Sequence, residues 1–324
     1  MTKVKRYIKD NLGIIAALAV MIIFLYVFPR THNTFLTQTN IFNVLRQSST
    51  NLMLACGMTM VIILGGIDLS VGSIIAMSGV LGAAAVVWHG MPEIVGILIA
   101  ILSGVIFGLL NGLVIAKTKI PPFIVTLASM NIAKGIAYVY SGGKPIRCMT
   151  DAWKFLGAGY VGPIPTPVIT MTVVFIVSVL FLNRTKMGRH VYAVGGSEQS
   201  AKLMGLPVGK TKIAVYAING FCSAMCGITY LLTVKSGWNM ALQGGELEVI
   251  SCAVIGGTLL TGGVGYMIGT MFGVLLKSVI PALISFNGTL SSWWGKIATG
   301  ALLLLFIVIQ RLVVSSSSIR LKKK

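Results

Sequence analysis

Asp68 stands in Gly65-Gly66-Ile67-Asp68-Leu69-Ser70-Val71-Gly72, a glycine-rich, polar interruption between two apolar runs. A carboxylate at membrane depth is costly and normally faces protein or water instead of lipid. Two chemistries suit it. With Ser70 beside it, Asp68 can cap free backbone amides at the start of a helix, or it can take part directly in transport. Asn111, Asn131 and Lys134 add polar groups inside apolar stretches, and Glu246 and Glu248 open another. Lys277 lies in the middle of a run, too far from either end for its stem to carry the ammonium to an interface. An acid at 246 or 248 pairs with it only if the fold brings them together. Asp68, Ser70, Asn111, Asn131, Lys134, Glu246 and Lys277 are therefore candidates for a pore or gate.

A second group lies in the long basic segment 183–211. Ser197 to Met204 reads as a short helix with a serine cap and a stop at Gly205. Such a helix on the membrane surface suits docking of a soluble partner, with Gly195, Gly196, Glu198, Ala201 and Gly205 as its marker residues. Gly205-Leu206-Pro207-Val208-Gly209-Lys210-Thr211 invites a phosphate-loop reading, but that loop needs four residues between Gly and Gly-Lys. This segment has three. No nucleotide site is expected here. His32, His89 and His190 are scattered, and Cys222 and Cys226 have no His or Asp nearby. The chain carries no metal cluster or catalytic triad legible in sequence and reads as a non-enzyme.

The elements that position these residues must be membrane helices. Of the 324 residues 56% are hydrophobic and only 10% charged, against about 25% charged in soluble domains. Apolar runs long enough for a crossing of roughly 20 residues fall at about 12–28, 44–64, 71–88, 94–116, 122–140, 164–182, 212–234, 247–261, 265–285 and 294–310. The expected fold is all-α, a polytopic bundle of about ten helices (eight to ten) forming one domain over 1–324. The first run lacks a small-residue cleavage site and reads as a retained helix.

The net charge of +19 does not mark a nucleic-acid binder, because it is concentrated in clusters at 3–9, 117–119, 184–212 and 311–324. With ten crossings every cluster falls on one side, as basic cytoplasmic loops do. Residues 1–11 and 311–324 are then cytoplasmic. Gly104, Gly108 and Gly112 form one small-residue stripe, and Gly265, Gly269 and Gly273 another; such stripes let helices approach closely. The break at 65–72 has a counterpart at Gly256-Gly257-Thr258 through Gly262-Gly263-Val264-Gly265. Paired interruptions of this kind mark transport pathways in repeat-built carriers.

The stretches Gly65 to Ser73, Pro122-Phe123-Ile124-Val125-Thr126-Leu127, Ala193-Val194-Gly195-Gly196, Ala201 to Gly205, and Val254-Ile255-Gly256-Gly257-Thr258 with Gly262-Gly263 resemble the ribose-type permease subunits of bacterial ATP-binding-cassette (ABC) sugar importers. The resemblance spans roughly residues 40–310. Gly288-Thr289-Leu290-Ser291-Ser292-Trp293-Trp294 is similar to the galactofuranose-type branch. Gln199 to Gly205 resembles the family's docking motif, keeping its second Ala and its Gly but with Gln and Ser at the first two positions.

The resemblance implies a pore subunit for a monosaccharide in a bacterial inner membrane. It also implies three partners: a cytoplasmic ATPase holding ATP and magnesium, a periplasmic or extracellular sugar-binding protein, and a second permease subunit. No cofactor belongs to this chain itself. The alternative is an ion-coupled secondary transporter of a small polar solute, for which Asn111, Asn131 and Lys134 are available but no carboxylate relay is evident.

Overall fold

A computed structural model describes residues 37–148, 150–287 and, in part, 293–308. The expected first span at 12–28, the termini 1–11 and 311–324, and most of the 288–294 stretch lie outside the described residues.

Helix α1 (Gln38–Ile63) starts where the Thr37 hydroxyl accepts the Asn40 amide at 3.4 Å. Its first turns carry Asn, Arg and Gln, but from Leu52 to Ile63 every residue is buried. It forms the centre of the bundle, packed by α6 (Thr166–Arg184), α9 (Val208–Val234), α10 (Gly245–Ile255) and α11 (Met267–Asn287). Helices α2 (Val71–Val87), α3 (Glu93–Thr118) and α4 (Pro122–Ser141) follow through short turns. Pro121 and Pro122 end one helix and begin the next, as proline suits a first helical turn.

A small cap follows: β1 (Ile146–Arg147), α5 (Asp151–Ala158), and the hairpin of β2 (Tyr160–Val161) with β3 (Ile164–Pro165). Strand β1 pairs antiparallel with β4 (Ser236–Gly237), placing Ile146 opposite Gly237. Cys148, in this polar loop, is buried. Burial, then the nearby Glu93 charge, pushes its thiol above the ordinary value. Between α6 and α9 run two short helices, α7 (Lys186–Gly196) and α8 (Glu198–Leu203).

The chain is a polytopic helical membrane protein. Helices α3, α4, α6 and α9 are each long and apolar enough to cross a bilayer, and α2, Met267–Ala282 and Trp293–Leu305 are shorter apolar helices. Most expected spans match a helix to within a few residues. The span 247–261 does not. Helix α10 has 11 residues, about 16 Å of rise and so about half a crossing. Gly256 and Gly257 stop it, the latter at φ +91°, a conformation that side-chain-bearing residues rarely adopt.

Both glycine stripes face inward. A Cβ at Gly104 would lie 2.5 Å from the Gly220 carbonyl oxygen, and one at Gly112 would lie 2.7 Å from the Ile213 Cα, both on α9. Of the second stripe, Gly269 and Gly273 lie on α11 against α10, where Gly256 abuts Gly269 and Gly273 abuts Cys252, while Gly265 precedes α11 and meets Ile63 and Thr258. Helix backbones meet directly at these seams, because packing in lipid depends on close contact.

Candidate functional site

Two features converge near the broken segment 64–70: a buried polar network and a backbone junction. Asp68 is 1% exposed. Its Oδ1 accepts the Ser70 amide at 2.9 Å and the Ser70 hydroxyl at 2.5 Å, while its Oδ2 accepts from Asn219 Nδ2 at 2.8 Å. Asn111 Nδ2 donates to Ser70 Oγ at 3.0 Å, and the Ser129 hydroxyl donates to Asn111 Oδ1. The loop is also pinned through Thr126, whose hydroxyl accepts the Leu69 amide at 3.2 Å. The broken loop is thereby bonded to α3, α4 and α9. Asn219 lies about 16 Å along α9, near the middle of that helix.

Asp68 does accept a free amide at the start of α2, that of Ser70. The acid is internal, and it holds the residue preceding α2 instead of the first helical amides; Ser70 makes no side-chain cap bond itself. A buried carboxylate is tolerated when several donors satisfy it, and here there are three.

The two broken segments meet. The Gly263 amide donates to the Ile63 carbonyl at 2.8 Å. Gly65, Gly262 and Gly263 all have positive φ, from +76° to +85°. Helix α7 packs onto the same point: a Cβ at Gly195 would lie 2.8 Å from the Gly263 nitrogen and overlap the Ile63 oxygen. Tyr192, one turn earlier on α7, donates to the Gly265 carbonyl at 2.8 Å. Burial, then Tyr266, pushes its phenol up to about 12, so it remains a donor through the physiological range.

Helix α8 has the expected start, with the Ser197 hydroxyl accepting the Ser200 amide at 3.2 Å. Gly205 follows it at φ +75°. Ala201 is fully buried, and Lys212 donates to both Glu198 oxygens at 2.8 Å, tying α8 to α9. A cleft of about 540 Å³ brings Lys119, Lys202, Lys212 and Glu198 to the end of the bundle that holds Gly65 and Gly66. Two basic clusters thus share one end.

Lys277 pairs with Glu248, not with Glu246. Glu246 instead lies against α2, where a Cβ at Gly72 would come within 2.6 Å of its Oε2. Lys134 is exposed on α4 and lines the same small chamber as Glu246. Asn131 is exposed and donates to Leu127 O on its own helix at 3.1 Å. The candidates therefore separate into four places: Asp68, Ser70 and Asn111 together, Lys134 and Glu246 together, and Asn131 and Lys277 each apart.

Asn219 and Ser129 escaped the sequence reading, and Thr126 entered it only as part of the stretch Pro122 to Leu127. Asn219 was the most legible, as an amide in the apolar run Val215 to Phe221. Helix α7 was missed because Gly195 and Gly196 look like a turn; both lie in its last turn.

Residues 40–307 match the family described as "Branched-chain amino acid transport system / permease component". The chain is 38% identical to the inner membrane ABC transporter permease protein YjfF of Escherichia coli (strain K12), over 94% of this chain and 93% of that protein. It is 36% identical to the ribose import permease protein RbsC of Haemophilus influenzae, over 89% and 90%. Identity to the fructose import permease protein FruG of Bifidobacterium longum is also 36%, over 82% and 80%. With the match covering most of its length, the chain belongs to the branched-chain amino acid transport system / permease component family.

Proposed function

We propose that the chain is the membrane-embedded permease subunit of an ATP-binding-cassette importer, forming the inner-membrane path by which a monosaccharide enters the cell. What carries this reading is its 36% identity, over 80% or more of both chains, to permeases named for ribose and fructose import. ATP would be hydrolysed by a separate cytoplasmic ATPase, a binding protein would deliver the sugar outside, and a second permease subunit would complete the pore. The basic end of the bundle, with both termini, would face the cytoplasm.

The Gly195–Ile63–Gly263 junction supports a coupling route. An ATPase docked on α7 and α8 would move a helix that touches both broken segments at once. The Asp68 network would pass that motion to α2, α3, α4 and α9. ATP biases such a two-state element only through its different affinity for the two states.

The test is purification of the tagged chain from bacterial membranes, followed by uptake in vesicles. An ABC ATPase should co-purify, and sugar uptake should require ATP. Uptake driven by an ion gradient without ATP, with no ATPase recovered, would overturn the proposal in favour of a secondary transporter.

A further inference from the structure

The cleft of about 540 Å³ at the basic end of the bundle lies between the end of α3, the start of α4, α8 and the first turns of α9. At about 30 Å³ per water, it has room for roughly eighteen waters, the scale of a lipid headgroup and not of a lone ion. Its wall is mixed. Lys119, Lys202, Lys212 and Glu198 supply charge, while Leu64, Ile115 and Ile120 are among the residues that supply apolar surface.

Two independent features point to one occupant. The first is charge. Lys212 donates to both oxygens of Glu198, so that pair is neutral by itself. Lys119 and Lys202 are exposed and have no acidic partner among the described residues. The cleft therefore carries two uncompensated ammoniums, each able to hold a phosphate oxygen as a point charge. A headgroup with an ammonium of its own would set a third cation beside them.

The second feature is the approach to the cleft. Leu102, Ile106, Leu109 and Leu113 are all exposed on α3, and their spacing of four, three and four puts them on one face. The next position on that face, Ala116, lines the cleft, as does Ile120 just beyond the helix. An apolar strip about 21 Å long thus runs into a basic pocket. Basic pockets beside membrane helices on the cytoplasmic side suit anionic headgroups. A soluble phosphate would make no use of the strip.

We propose that the cleft seats the phosphate of an anionic phospholipid without a headgroup amine, held by Lys119 and Lys202, with an acyl chain along the α3 strip. The lipid ties α8 to the end of α3. The proposal takes from the importer reading only the orientation that places this end in the cytoplasmic leaflet.

The test is lipid retention by the full-length chain, with its co-purifying subunits, in nanodiscs of equal parts phosphatidylglycerol and phosphatidylethanolamine with matched acyl chains. Native mass spectrometry counts the lipids that stay bound. Phosphatidylglycerol should be retained in preference. Each lysine should contribute about fivefold, the equivalent of about 1 kcal/mol per basic residue at an anionic surface. Lys119→Ala with Lys202→Ala should therefore lower the preference about 25-fold. Lys210→Ala, at the same end but outside the cleft wall, should leave it unchanged.

Equal retention of the two lipids overturns the proposal, and so does a loss in Lys210→Ala as large as in the lysine pair. Displacement by glycerol phosphate at matched concentration would assign the cleft to a soluble phosphate and overturn the lipid. Retention only after the ATPase is stripped away would give the cleft to the ATPase instead. The assay needs no transport, so each of these failures leaves the importer reading standing. ATP-independent uptake by a chain that still retains phosphatidylglycerol would sink the importer reading alone.

Discussion

Asn219 Nδ2 donates to Asp68 Oδ2 at 2.8 Å, joining residues 151 positions apart in sequence. The bond fastens a long continuous helix to the non-helical loop between α1 and α2. Irregular backbone at membrane depth persists only when protein or water satisfies it; here Thr126 accepts the Leu69 amide and Asp68 the Ser70 amide, while Asn111 and Asn219 hold the Ser70 and Asp68 side chains in place.

Replacing Asp68 with Ala should lower the thermal unfolding midpoint of the purified protein. Each buried donor left without a partner costs about 1–3 kcal/mol. Asp68→Asn should also destabilise, because its amide would face the Asn219 amide. The exchange Asp68→Asn with Asn219→Asp restores a donor–acceptor pair and should recover much of the loss. A double variant no more stable than the worse single would show that this bond does not hold the loop.

Gly195→Val is expected to separate ATP hydrolysis from uptake. Its side chain would enter the space held by the Ile63 carbonyl and the Gly263 nitrogen, lifting α7 off both broken segments. Gly196→Ala is the control, because a Cβ there meets nothing within 4 Å. Hydrolysis and uptake measured in the same vesicles decide the matter; tight coupling in Gly195→Val would refute a route through this junction.

On α3, Gly104→Ala forces a methyl to 2.5 Å from the Gly220 oxygen. Overpacking of this kind costs about 1–3 kcal/mol. On α4, Gly135 has open space around it, and Gly135→Ala should be neutral or stabilising by about 0.5–1 kcal/mol through helix propensity. Yield and melting temperature in detergent should therefore move in opposite directions for these two substitutions.

The Lys277–Glu248 pair is partly buried, its side chains 13% and 39% exposed. Its worth should fall between the roughly 0–1 kcal/mol of surface pairs and the 3–5 kcal/mol cost of breaking a buried one. Glu248→Gln should destabilise more than the double variant Glu248→Gln with Lys277→Met, since the single change leaves an ammonium without its partner. Equal losses would indicate that the pair contributes little.

Much of the bundle was legible because the signals are local. Apolar runs interrupted by Pro121-Pro122 or by Gly65-Gly66 mark helices and their ends, and Ser197 followed by Gly205 brackets α8 without reference to distant residues. The polar character of Asp68, Lys134 and Lys277 inside such runs was equally plain, since a charge in an apolar stretch needs a partner whatever the fold.

The partners themselves required tertiary structure. Glu246 and Glu248 are two residues apart on α10 and point to different neighbours, so spacing alone did not assign Lys277 to one of them. Asn219 closes on Asp68, and Gly263 on Ile63, only because the glycine seam draws α9 against α3 and folds two distant breaks together. Composition and hydropathy determined that this chain lives in a membrane as helices. Packing determined which of its few polar groups meet, because hydrogen bonds and ion pairs depend on distances of about 3 Å that no sequence interval encodes.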